Sequence, residues 1–253
     1  MKIWKNIVVA FSMFSALPMP QIAWDRDSMR NSLCAFPLIG VVIGTLCILW
    51  QMLCAALALP AILRGAGLCL LPVFVTGGIH LDGYADTCDA MASHASPERR
   101  QEILKDPHVG AFAVIRLCSY FVLSLALWSS VGTVRPAALL GLFGLSRSLS
   151  GLALTLFPIR EGSGLARSFA EAADWRTARC VLGIEALLFA VLLCVGGGVL
   201  AVIAAALVFL RYREICEKDF GGLSGDLAGW FLQSAELWML AALLLTELGR
   251  AFL

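Results

Sequence analysis

Apolar residues in this chain come in long blocks separated by short polar stretches. A helix needs roughly 20 apolar residues to cross a bilayer. By that measure residues 33–59, 62–79, 111–132, 136–157 and 227–249 each predict one spanning helix. The run 180–210 is too long for one span, and Gly196-Gly197-Gly198 divides it. It predicts two short spans joined by a tight hairpin, with a single long tilted helix as the alternative. The expected fold class is all-α, a polytopic integral membrane bundle of about seven transmembrane helices. No internal repeat, low-complexity stretch or linker marks a second unit, so residues 1–253 are expected to form a single domain. Near the N-terminus, Lys2 and Lys5 precede an apolar run through Ala16 that imitates a signal peptide. It is short for a span and ends in Leu17-Pro18-Met19-Pro20, which predicts a retained interfacial or re-entrant helix packed on the bundle.

Composition strengthens the membrane reading. Of 253 residues 60% are hydrophobic and 15% charged, and the mean hydropathy is +0.85. Soluble domains sit near ~45–50% apolar and ~25% charged. A soluble enzyme, a disordered chain and a secreted disulfide scaffold are therefore excluded. Lys and Arg number 19 against 18 Asp and Glu, a net charge of +1 that gives no electrostatic case for a nucleic-acid polymer. The nine cysteines are scattered through mostly apolar runs with no CxxC pair, and read as small apolar residues.

Charge placement orients the bundle. One set of polar segments (the N-terminus, 18–32, 80–110, 158–180 and 211–226) carries 14 Lys and Arg, from Lys2 to Lys218, against Arg64, Arg135 and Arg250 on the other side. The positive-inside rule makes the longer loops cytoplasmic. Splitting 180–210 into two spans is what preserves this alternation.

Candidate chemistry gathers on that side. Six of the 18 carboxylates, Asp82, Asp86, Asp89, Glu98, Glu102 and Asp106, fall in one loop and its flanking helix ends. Asp82, Asp86 and Asp89 stand at i, i+4 and i+7, one face of a helix. Three carboxylates on one face suit a hard cation such as Mg²⁺, which also binds substrate phosphates; the alternative is a hydrated acidic helix end. Gly83 would let a ligand approach the backbone. Asp106 either adds a fourth carboxylate or caps the helix that starts near Val109, and Lys105 could neutralise a phosphate. For His80 and His108 a ligand, a general base and an interface hydrogen bond stay open, and His94 reads as solvated. Arg160, followed by Glu161-Gly162-Ser163-Gly164, offers a guanidinium suited to phosphate or simply anchors the loop. In Gly221-Gly222-Leu223-Ser224-Gly225-Asp226 the backbone N–H groups could cradle phosphate oxygens, while Asp226 either caps the next helix or binds metal. Within the spans Arg116, Arg147, Glu185 and Glu236 are costly in lipid, and Arg147 is expected to pair with Glu236.

The pieces His80-Leu81-Asp82-Gly83-x-Ala85-Asp86-Thr87-x-Asp89, Lys105-Asp106 with Gly110-Ala111-Phe112, and Gly221-Gly222-x-Ser224-Gly225-Asp226 run through most of the chain. With Leu17-Pro18-x-Pro20, Phe36-Pro37-Leu38-Ile39-Gly40 and Arg99-Arg100-x-Glu102, they resemble the cobalamin synthase (adenosylcobinamide-GDP ribazoletransferase) family. Tyr84, Cys88, Ala90 and Ser224 depart from the family's usual Leu, Ala, Gly and Thr, and every carboxylate is kept. The acidic motif is also similar to the CDP-alcohol phosphotransferase signature, but Asp86 stands where that signature has Arg. The resemblance implies a Mg²⁺-dependent phosphotransferase of late cobalamin biosynthesis in the bacterial inner membrane, with its active site facing the cytoplasm. Its substrates would be adenosylcobinamide-GDP and α-ribazole or its 5′-phosphate. Asp82, Asp86 and Asp106 would hold the metal. Asp89 would accept the hydroxyl proton or join the metal, Lys105 and Arg160 would grip phosphates, and His80 would orient a carboxylate or bind substrate. Self-association, or association with other corrinoid enzymes, stays open. The alternatives are a CDP-alcohol-type headgroup transferase and a secondary transporter; acids clustered at one mouth and the lack of an inverted repeat speak against the transporter.

Overall fold

A computed structural model describes residues 2–160 and 173–251. Among the described residues the structure is helical, apart from one isolated bridge between Ile159 and Leu223. The N-terminal helix α1 (Lys2–Phe14) and the single turn α2 (Arg26–Met29) precede a 3₁₀ turn, Ser32–Ala35, which runs into α3 (Phe36–Ala56). Then come α4 (Ala61–Thr76), α5 (Ile79–Ala92), α6 (Pro97–Ile103), α7 (Ala111–Ser130) and α8 (Pro136–Leu156). The last helices are α9 (Trp175–Val195), α10 (Val199–Glu214) and α11 (Gly225–Ala251), with a π turn at Ile215–Asp219.

Among the described residues five helices are long and apolar enough to cross a membrane alone: α3 with its leading turn, α7, α8, α9 and α11. The helices α4 and α10 have 16 residues each, about 24 Å of rise, and complete the seven expected positions. The predicted hairpin is present, since α9 ends at Val195 and α10 begins at Val199, with Gly197 at φ 94° in the turn.

The expected span 62–79 ends earlier than its hydropathy suggests. Gly77 and Gly78 both take positive φ, 65° and 81°, and the chain bends by 97° into α5. Because α4 lies along α3 and α7, a right-angle turn sends α5 across the end of the bundle, outside the spanning segments. The first part of the polar segment 80–110 is thus a 14-residue helix carrying the acidic motif, as the i, i+4, i+7 spacing predicts.

The centre of the bundle is α8, which packs against α3 on one side and α9 on the other. Lipid tails are as apolar as leucine, so spanning helices associate by close packing. Gly40 and Gly44 of α3 meet the α8 backbone at Phe143 and Leu140, and Gly141 of α8 meets the α9 backbone at Leu193. The expected charge pair is present: Arg147 Nη1 lies 2.6 Å from Glu236 Oε1, which also accepts from Ser146 Oγ at 2.8 Å. Of the other costly residues, Arg116 is exposed, and Glu185 is half-buried with Oε2 lacking a partner. The short helix α1 buries Val8, Val9 and Ala10 and leaves Ile3 and Trp4 exposed. Its end is fixed by the Ala16 N–H, which donates to the Val75 carbonyl at 2.8 Å.

Candidate active site

The acidic face is real. On α5, Asp82 is exposed and Asp86 and Asp89 are half-exposed, while Leu81, Gly83, Ala85, Thr87, Cys88 and Ala90 are buried. The first turn of α11 crosses this helix. Gly83 is the contact point: a Cβ there would stand 2.8 Å from both Cα and the carbonyl oxygen of Asp226. Gly83 therefore admits a neighbouring helix, not a ligand as its place in the motif suggests. On the far side of the crossing, a Cβ on Gly229 would lie 2.7 Å from the His80 carbonyl oxygen. The crossing brings Asp226, more than 130 residues away in sequence, to the acidic face.

Burial raises the Asp86 carboxyl to about 6, reinforced by the charges of Asp82, Asp226 and Asp89. The four carboxylates thus share one electrostatic environment. Among the described residues, however, no three His, Cys, Asp or Glu side chains already stand as a metal-ligand group. The donor set still fits a hard divalent cation, because it is all oxygen and carries the excess negative charge that such an ion relieves.

Asp89 has a task that sequence alone did not reveal. Its Oδ1 accepts the N–H of Ala113 in the first turn of α7, at 3.2 Å. The residue at the start of that helix, Gly110, has no capping side chain, and a Cβ on it would overlap the Asp89 carboxylate. Asp89 therefore caps α7 from a neighbouring helix, the role that sequence offered to Asp106. Asp106 instead stays in the exposed loop, bound to the N–H and the Nδ1 of His108 at 2.9 and 2.7 Å. These hydrogen bonds hold its carboxyl below the ordinary range. Asp106 and His108 satisfy each other, and the structure does not tie either to the acidic face. Lys105 beside them is exposed, as is His94.

The glycine-rich turn is held by two segments. The Arg160 N–H donates to the Leu223 carbonyl at 3.0 Å, and the Leu223 N–H to the Pro158 carbonyl at 2.8 Å. A Cβ on Gly222 (φ 144°) would stand 2.6 Å from Arg160 N, so this glycine serves the passage of 158–160. The Gly222 N–H is also used, donating to Cys216 at 2.7 Å. Two of the N–H groups expected to cradle phosphate are thus committed to the backbone. Ser224 caps α11 through the Leu227 N–H at 3.4 Å. Gly221 (φ 66°) lies beside the Gln101 amide. From α6, Arg100 pairs with Asp219 at 2.5 Å and Gln101 donates to the Phe220 carbonyl at 2.9 Å. These α6 contacts were not foreseen, and only their place in the Arg99-Arg100 motif hinted at them.

Arg160 is the cation that this pairing delivers. It is buried, interacts electrostatically with Asp226, and leaves Nε and Nη1 without hydrogen-bond partners. A buried guanidinium with unused donors is costly unless an anion completes it. Glu161–Leu165 and Arg167, part of the same expected segment, lie outside the described residues.

Beside the acidic face opens a cavity of about 200 Å³. Asp82, His80, Ser224 and Asp226 line it together with Ser150 and with apolar residues that include Met13, Phe14, Leu33, Phe36, Leu154 and Leu232. His80 is buried edge-on against Phe36, with 5.8 Å between ring centres, and its Nε2 has no partner. Burial pushes its imidazole down to about 3, with the Arg147 charge adding to the effect, so His80 is neutral.

Carboxylates, a buried arginine and a cavity thus meet at one end of a bundle of apolar helices. The family model described as cobalamin-5-phosphate synthase matches residues 6–244. Adenosylcobinamide-GDP ribazoletransferase from Lachnoclostridium phytofermentans is 40% identical over 98% of this chain and 96% of its own. The proteins of that name from Geobacillus kaustophilus and Clostridium botulinum (strain Alaska E43) are 34% and 31% identical, each over 93% of this chain and 94% and 95% of their own. No solved structure matches. The chain belongs to the cobalamin-5-phosphate synthase family and is an enzyme of cobalamin biosynthesis.

Proposed function

We propose that the chain joins adenosylcobinamide-GDP to α-ribazole or its 5′-phosphate, releasing GMP, at the cytoplasmic face of the bacterial inner membrane. The observation that carries this reading is the meeting of Asp82, Asp86 and Asp226 with the incompletely bonded Arg160 at one end of the bundle. A nucleoside-diphosphate-linked donor presents the anionic oxygens that such a site requires. Asp82 and Asp226 would hold Mg²⁺, since one or two carboxylates suffice where substrate phosphates supply further oxygens. The ion when bound would neutralise the diphosphate and the charge that develops on the departing GMP.

The chain's own groups do the rest. Arg160 binds phosphate oxygens with its free N–H groups. Asp86, half-exposed between Asp82 and Asp89 on the acidic face, takes the proton from the acceptor hydroxyl as its oxygen attacks the corrinoid-bound phosphorus. The bond from that phosphorus to the GMP oxygen breaks, and GMP leaves. Asp89 positions α7 and adds negative charge at the rim. The inward side is assigned by the 14-to-3 distribution of Lys and Arg.

Purified protein in nanodiscs should release GMP from adenosylcobinamide-GDP when given α-ribazole and Mg²⁺. EDTA should stop the release and added Mg²⁺ restore it. Folded protein that releases no GMP would overturn the proposal.

A further inference from the structure

We infer that the cavity between α1, α3, α5, α8 and α11 is the subsite for the acceptor's aromatic base, and that its apolar wall selects which base is transferred. The inference rests on the proposed function, because it takes the two substrates from there.

The cavity's size removes one occupant. At about 200 Å³ it lies below the roughly 300–1,000 Å³ of clefts that enclose drug-sized ligands, so a corrin macrocycle cannot enter. Its lining removes another. Guanine presents several polar atoms that each need a partner once out of water. Nine of the lining side chains here are apolar; His80, Asp82, Ser224 and Asp226 belong to the carboxylate side, and Ser150 on α8 adds a single hydroxyl, too little for guanine's several polar atoms. A dimethylbenzimidazole ring is flat, mostly apolar and of suitable size, which leaves the acceptor's base as the fitting occupant.

Position agrees with this. Asp82 and Asp226 belong both to the cavity wall and to the acidic face. A base lodged against Phe36 and Leu154 would therefore leave its ribose at the carboxylates, where the hydroxyl has to react. The burial of α1 gains a purpose as well. Phe14 at its end packs on Phe36 with ring centres 4.5 Å apart, and the backbone bond from Ala16 to Val75 fixes that end against α4. Holding one wall of the chamber accounts for an N-terminal helix too short to span.

Leu154, half-buried on α8, is the position to vary. Leu154→Trp fills the chamber and should weaken α-ribazole binding, measured by equilibrium dialysis with the wild-type chain as reference, by at least about tenfold. Binding of adenosylcobinamide-GDP should stay within about twofold. Leu154→Ala enlarges the chamber and should raise kcat/KM for a bulkier naphthimidazole riboside relative to α-ribazole by about tenfold. The second variant decides the matter if the first does not fold. Unchanged α-ribazole affinity in Leu154→Trp, an unchanged ratio in Leu154→Ala, or loss of donor affinity alone would each overturn the inference. A wild-type chain that binds α-ribazole in this way but releases no GMP would instead overturn the proposed reaction.

Discussion

Asp89 separates a positioning role from a chemical one, because asparagine preserves the first and removes the second. The Ala113 amide that it caps is buried, 1% exposed, so Asp89→Ala leaves an N–H that water cannot reach. That costs about 1–3 kcal/mol, and losing a carboxylate at a helix N-terminus adds about 0.3–1 kcal/mol. The expected destabilisation is about 2–3 kcal/mol, or roughly 5–10 °C in Tm for a chain of this size. Asp89→Asn keeps an oxygen that accepts the same hydrogen bond and loses only the charge, so its cost should stay near 0.3–1 kcal/mol. Thermal unfolding in nanodiscs without ligand measures both variants, and GMP release measures the chemistry. Asp89→Asn should keep kcat within about tenfold of the parent. If it unfolds as early as Asp89→Ala, the capping argument is wrong. If it is stable yet loses 10³-fold or more in rate, Asp89 acts in the chemistry and Asp86 does not carry the proton alone.

Other outcomes follow from the same geometry. Asp82→Asn and Asp226→Asn should each cut turnover by at least about a hundredfold while leaving Tm unchanged or raised, because each removes one of several repelling charges; a rate near wild type would place the metal elsewhere. Without metal the Asp86 carboxyl is raised from 3.8 to about 6, by burial and then by the charges of Asp82, Asp226 and Asp89. Mg²⁺ on Asp82 and Asp226 would offset those charges, so an NMR titration of Asp86 should show its pKa falling as Mg²⁺ is added. A pKa that Mg²⁺ leaves unmoved would separate Asp86 from the metal site. Without metal the folded chain holds this proton more tightly than the unfolded one, so this group stabilises the fold as pH drops from about 6 towards 4. Glu236→Ala leaves the Arg147 guanidinium, 1% exposed, without its carboxylate and should cost about 3–5 kcal/mol. The Arg147→Met/Glu236→Leu double variant should recover much of that loss, and a double variant no better than the worse single one would refute the pairing argument.

Much of this enzyme was legible in its sequence. Spans declare themselves because lipid tolerates few charges, so the order of apolar blocks gave the helices. The unequal sharing of Lys and Arg among the loops gave the orientation now proposed. The i, i+4, i+7 spacing put Asp82, Asp86 and Asp89 on one face, and the cost of charge in lipid gave the Arg147–Glu236 pair. These are consequences of local chemistry, which a linear chain records. The motif residues themselves carried the resemblance to the family.

Only the tertiary structure assigned tasks to individual residues. Whether Asp106 or Asp89 caps α7 depends on which helix end α5 passes, and no spacing along the chain encodes that. Gly83 and Gly222 look like ligand contacts in sequence, yet each is small because another segment of backbone crosses it. The bend at Gly77-Gly78 laid the acidic helix across the bundle, and that crossing brought Asp226 and Arg160 to the carboxylates. Periodicity fixes which residues share a face, but what the face meets is decided by packing between segments far apart in the chain.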